Sequence, residues 1–144
     1  MEQQYVSYIR EQLHAVLGID SPSGCTEEVQ QYLCDTLRAM GYAPRRLVKG
    51  GVHVTLGGEG EPLTLLAHAD TLGAVVQYIK PNGRLAISNM TLNVHNAEAE
   101  NVKVITRFNG AYEGTLQLCN ASVHVNPDPN QARDLNKNME IVLD

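Results

Sequence analysis

Val6, Ile9, Leu13, Val16 and Leu17 recur at spacings of three and four, so the start of the chain predicts an amphipathic helix with a single apolar face. Gly18 ends it, because glycine closes a helix in the left-handed conformation at little cost. The turn-forming run Ile19-Asp20-Ser21-Pro22-Ser23-Gly24 leads to a second helix. Thr26 stands at its cap position, and Glu27 and Glu28 lie where the helix dipole favours carboxylates. Val29, Tyr32, Leu33, Leu37 and Met40 form its apolar stripe, and Gly41 stops it. From Tyr42 the pattern becomes extended. Residues 51–56 alternate, residues 57–62 form a glycine-rich turn, and Leu63-Thr64-Leu65-Leu66-Ala67-His68 is almost continuously apolar, the pattern of a strand covered on both faces.

After Asp70 no helical period is sustained. Six short strands are predicted at residues 74–79, 85–87, 102–107, 115–118, 122–125 and 139–143. Asn82-Gly83 and Asn109-Gly110 mark tight hairpins, and the two prolines of residues 126–130 forbid ladder pairing there. The fold class expected is α/β, in two parts. Residues 1–70 form a partial α/β layer, and residues 71–144 form a small all-β, barrel-like domain.

Charge and composition narrow the function. A formal net charge of −5 with no basic run excludes a grip on nucleic acid or an anionic membrane surface. No stretch approaches the roughly 18 apolar residues of a membrane span, and Met1-Glu2-Gln3-Gln4 does not open a secretory signal. Cys25, Cys34 and Cys119 form neither an even set nor a close metal-type pair, so they read as free thiols of a reducing, cytoplasmic compartment.

The chemistry concentrates at His68-Ala69-Asp70, where the apolar strand ends. Residues two apart on a strand face the same way, so an imidazole and a carboxylate emerge together at a sheet rim, where α/β folds bind ligands. A metal-bound histidine normally donates its second ring N–H to a carboxylate. His68 therefore suits a metal ligand and Asp70 its support; the other reading is a hydrogen-bonded structural histidine. A zinc site needs three or four protein ligands, and His14, His53, His95 and His124 lie on separate elements. Ser21-Pro22-Ser23-Gly24 reads as a helix-entry turn rather than a nucleophile. Gly57-Gly58-Glu59-Gly60 lacks the Lys-Ser/Thr of a phosphate loop. Cys25 has no evident partner, and Arg107 and Arg133 read as solvated charges.

The stretch from Gly50 to Val76, centred on His68-Ala69-Asp70-Thr71-Leu72-Gly73, resembles the glutamyl and deblocking aminopeptidase family. These are dinuclear-metal exopeptidases that often assemble into tetrahedral dodecamers. Ser21-Pro22-Ser23-Gly24 with Glu27-Glu28-Val29 is similar to that family's loop into its second helix. Residues 79–85 and 122–125 are similar to its inserted β domain. The resemblance implies an N-terminal catalytic α/β segment, then a β-barrel insertion that mediates homo-oligomer contacts. It implies that His68 ligates one of two divalent metal ions, zinc or cobalt, and that Asp70 supports it. The substrate implied is a peptide, cleaved at its N-terminus by metal-activated water. The family's bridging aspartate, its Glu-Glu pair and its other ligands lie further along than Asp144, so the chain by itself is expected to be inactive. Two rival readings are a non-catalytic oligomerisation or binding module, and a related metal-dependent hydrolase, either a deacylase or a carbohydrate-acting enzyme.

Overall fold

The computed structural model describes residues 2–128 and 130–144. Two compact units divide between Thr71 and Leu72. The first opens with helix α1 (Glu2–Leu17) and helix α2 (Glu27–Ala39), followed by the short antiparallel pair β1 (Arg45–Arg46) and β2 (Val52–His53). The period of three to four formed both helices where expected. The cap of α2 differs from expectation. Thr26 makes no side-chain bond to the helix backbone, and its hydroxyl instead accepts from Gln30 Nε2 at 2.7 Å. Val29 and Cys34 of α2 are fully enclosed, whereas Val6, Ile9, Leu13 and Leu17 of α1 are each more than half exposed. The apolar stripe of α1 is thus real but uncovered among the described residues.

The doubly covered strand expected over residues 63–68 does not form. Those residues are extended but unpaired, and Leu63, Leu65 and Leu66 are more than 80% exposed. A covered strand needs neighbours on both edges and layers on both faces. The chain makes a bridge only past this segment, an isolated parallel one between Thr71 and Pro22.

The second unit is an open, curled sheet of five antiparallel strands in the order β3-β4-β7-β6-β5. Its members are β3 (Ala74–Ile79), β4 (Leu85–Asn89), β5 (Asn101–Ile105), β6 (Ala111–Leu118) and β7 (Met139–Leu143). The hairpins turn at the expected dipeptides, and Gly83 and Gly110 supply the positive φ those turns require. A bulge between Val76 and Tyr78 bends β3. Alternate side chains of β4, β6 and β7 make the core, with Leu85, Ile87, Leu116, Leu118, Met139 and Ile141 all buried. Each such side chain contributes about 1.5–3 kcal/mol of burial, and the three central strands supply two of them each.

The strand expected at residues 122–125 is a turn instead. Val125 and Asn126 both donate backbone N–H bonds to Ser122 O, and Val123 and Val125 face solvent. The loop containing it is held by asparagines. Asn126 Nδ2 donates to Asn120 O at 2.6 Å, and Asn138 Nδ2 donates to Ala132 O at 2.8 Å. Side-chain amides thereby replace the strand ladder.

On the other face of the sheet, Glu140 is 2% exposed and lies opposite Ala86 and Gln117. Lys80 Nζ donates to its Oε2 at 2.7 Å, Arg84 Nη1 donates to its Oε1, and Lys80 also reaches Cys119 Sγ at 3.2 Å. Burial alone raises the Glu140 pKa. The Lys80 and Arg84 hydrogen bonds outweigh it and leave the carboxyl below its ordinary value. The same contact with Glu140 raises Lys80 above its ordinary value.

Gly114 marks the tightest point of the sheet. A Cβ there would lie 2.5 Å from Val142 O and 3.0 Å from Ile141 Cγ2. Gly114→Ala is expected to destabilise the chain by about 1–3 kcal/mol through overpacking, read as a lower urea midpoint at unchanged slope. A midpoint equal to that of the parent chain would show that β6 and β7 separate freely.

Candidate functional site

His68 and Asp70 come together as the period of two requires. His68 Nδ1 stands 3.2 Å from Asp70 Oδ1 and 3.1 Å from the Asp70 carbonyl oxygen. With its proton on Nδ1 and donated to Asp70, the imidazole keeps a lone pair on Nε2. The His68 side chain is 86% exposed, so that nitrogen is accessible.

The backbone carrying this pair is held from a loop almost fifty residues earlier. Thr71 N donates to Ser21 O at 2.8 Å, and the fully buried Ser21 donates its hydroxyl to Ala69 O at 3.0 Å. Ser23 Oγ donates to Asp70 Oδ2 at 2.5 Å. That bond, above all, holds the Asp70 carboxyl below the usual carboxylate range, with smaller support from its own backbone N–H and from His68. Both carboxylate oxygens are therefore engaged, one by each neighbour. By sequence alone Ser21 and Ser23 read only as turn formers; the run of two serines around a proline is the available signal.

A cavity of about 330 Å³ opens beside the pair, between the first turns of α2, the Gly50-Gly51 turn and residues 67–70. His14 and His53, of the same unit, do not line it. His53 accepts from Arg45 Nε at 3.3 Å, and His95 lies in a single 3-10 turn, Val94–Asn96. Among the described residues no three His, Cys, Asp or Glu side chains gather as a metal-ligand set. The donors present fit one ligand position of a metal site, with its supporting carboxylate, and not a whole site.

Residues 50–144 match the family described as M42 glutamyl aminopeptidase. The chain belongs to the M42 glutamyl aminopeptidase family. YhfE of Bacillus subtilis (strain 168), named as a candidate aminopeptidase, is 36% identical over 137 residues, 93% of this chain and 40% of YhfE. The M42 chain thus spans about 40% of the length of that relative. Its fold is similar to that of the TET aminopeptidase from the marine sediment archaeon Thaumarchaeota archaeon SCGC AB-539-E09. The TM-score is 0.79 at 20% identity, covering 92% of this chain and 37% of that one. The PhTET1-12s dodecamer gives 0.74 at 19% identity, over 92% and 38%. No helix among the described residues is long and apolar enough to cross a membrane.

Proposed function

We propose that this chain is the N-terminal part of a cytoplasmic dinuclear-metal aminopeptidase that removes N-terminal residues from peptides. The observation that carries the reading is the His68–Asp70 pair, with Nδ1 against the carboxylate and Nε2 open, in a chain of the M42 family. His68 would hold one metal ion through Nε2. Asp70 keeps the proton on Nδ1 and aims the ring, and the adjacent cavity admits the end of a peptide. When bound, two zinc or cobalt ions supply Lewis-acid polarisation of the scissile carbonyl and lower the pKa of water. The remaining ligands and the general base come from outside these 144 residues.

The β unit carries the subunit contacts of a homo-oligomer. Its edge strand β3 exposes Val75, Tyr78 and Ile79, an arrangement suited to pairing with another chain, and one neighbour in fold is a dodecamer. The same exposed edge of β3 supports, as second reading, a non-catalytic oligomerisation or binding module.

Peptidase assays separate the two. The whole protein is expected to hydrolyse aminoacyl-p-nitroanilides, to stop on chelation and to recover with zinc or cobalt, while the 144-residue chain alone gives no turnover. Turnover that survives exhaustive chelation would refute the metal reading. A whole protein that cleaves nothing with any metal would favour the module.

A further inference from the structure

We infer that Ser23 is a positioning residue of this site, fixing through Asp70 which nitrogen of His68 is left open to a metal. The inference rests on the reading of His68 as a ligand, but its mechanism is a property of this chain alone.

Neutral imidazole has two tautomers, and the one kept is set by the hydrogen bond the other nitrogen makes. Asp70 offers the Nδ1 proton two acceptors, its main-chain carbonyl oxygen at 3.1 Å and Oδ1 at 3.2 Å, and only the charged one depends on how the carboxylate is turned. The segment of residues 63–70 constrains that orientation only through the backbone N–H of Asp70, a smaller support than Ser23, since it lies in no sheet and the Asp70 side chain is 36% exposed. The constraint comes from Ser23, whose hydroxyl engages Oδ2 at 2.5 Å and so leaves Oδ1 to His68. Ser21 does a different task from the same loop. Its hydroxyl and its carbonyl bind the main chain at Ala69 and Thr71, which fixes where Asp70 is but not how its carboxylate is turned. The two serines thus separate placement of the backbone from orientation of the carboxylate.

The test is nitrogen NMR of the His68 ring in the uniformly labelled chain, at about pH 8, where an unperturbed histidine is neutral. The parent chain is expected to hold the proton mainly on Nδ1. Ser23→Ala is expected to move the ratio about fivefold or more toward the Nε2-protonated form, the effect of losing one charge-assisted hydrogen bond. Ser23→Thr retains the hydroxyl and is expected to restore the parent ratio, which a merely structural role would not explain. His53, hydrogen-bonded to Arg45 rather than to this loop, serves as the internal reference. An unchanged His68 ratio in Ser23→Ala, with backbone shifts of residues 69–71 also unchanged, would overturn the inference whatever the metal does. The parent reading fails by a separate measurement. If the ratio moves as expected but the whole protein keeps its full metal content in His68→Ala, the Ser23–Asp70–His68 arrangement is real and His68 is not a ligand.

Discussion

Replacing His68 with alanine in the whole protein is expected to remove one equivalent of metal and most of the peptidase activity, because a ligand bond is lost outright. The fold should tolerate the change, since the side chain is 86% exposed and its hydrogen bonds among the described residues go to Asp70. Asp70→Asn is expected to cost less, about 10–100-fold in metal affinity or activity. The amide oxygen can still accept from Nδ1, but the charge that raises the ligand's basicity is gone. The amide nitrogen then faces Ser23 Oγ, which must turn from donor to acceptor. His53→Ala is the control, being on β2 and paired to Arg45. Metal content by mass spectrometry and peptidase rates on the three variants decide the matter. Equal metal content and near-normal rates in His68→Ala would remove His68 from the site.

The second large effect is expected in the β unit. Glu140→Ala strips the shared partner from Lys80 and Arg84, and breaking a buried pair from one side costs about 3–5 kcal/mol. The low end applies, because Lys80 and Arg84 side chains are 20% and 36% exposed and can turn to water. Replacing Glu140 with leucine and Lys80 with methionine together is expected to recover part of the loss, since the desolvation of both charges disappears. The pH dependence follows from the directions of the shifts. A carboxyl held below its ordinary value contributes stability above the unfolded glutamate pKa of about 4.3 and loses it as pH falls through the folded value. Lys80, held above its ordinary value, contributes below about 10.4 and loses that contribution as pH rises through its folded value. Urea denaturation across a pH series should therefore fall off at both ends in the parent chain and flatten in the double variant. A Glu140→Ala loss within about 0.5 kcal/mol, the range of an ordinary surface change, would mean that the ion group is not coupled to folding.

The helices were legible because their stripes repeat every three or four residues, and the hairpins because Asn-Gly needs no tertiary support to turn. What periodicity cannot report is the covering. Val6, Ile9, Leu13 and Leu17 show the same spacing whether a neighbour encloses them or not. Leu63, Leu65 and Leu66 likewise read as a doubly covered strand and lie open. Residues 122–125 alternate as a strand does, but Ser122 and Asn126 capture the backbone locally before any ladder can. Conversely, β6 begins at Ala111, earlier than its apolar alternation suggests, because pairing with β5 from Asn101↔Thr115 to Ile105↔Ala111 extends it through mostly exposed positions. The resemblance to the aminopeptidase family was carried by residues 50–76 and holds as family membership. Within the site, His68 and Asp70 were legible because they are two residues apart. Ser23 was not, since its contact spans 47 residues and leaves no local pattern.

Apart from Val29 and Cys34, no apolar side chain of the first unit is buried among the described residues, whereas the second unit encloses a cluster centred on Leu116 and Ile141. Free energies of local opening follow enclosure of this kind, so amide hydrogens of α1 and of residues 63–71 should exchange in a small, frequent fluctuation, and those of β4, β6 and β7 only in a rare one. The contacts that hold Asp70 close a long loop, and each opening releases that closure entropy. Were that loop to open and close, an ion that bound only the closed form would draw the population toward it by mass action.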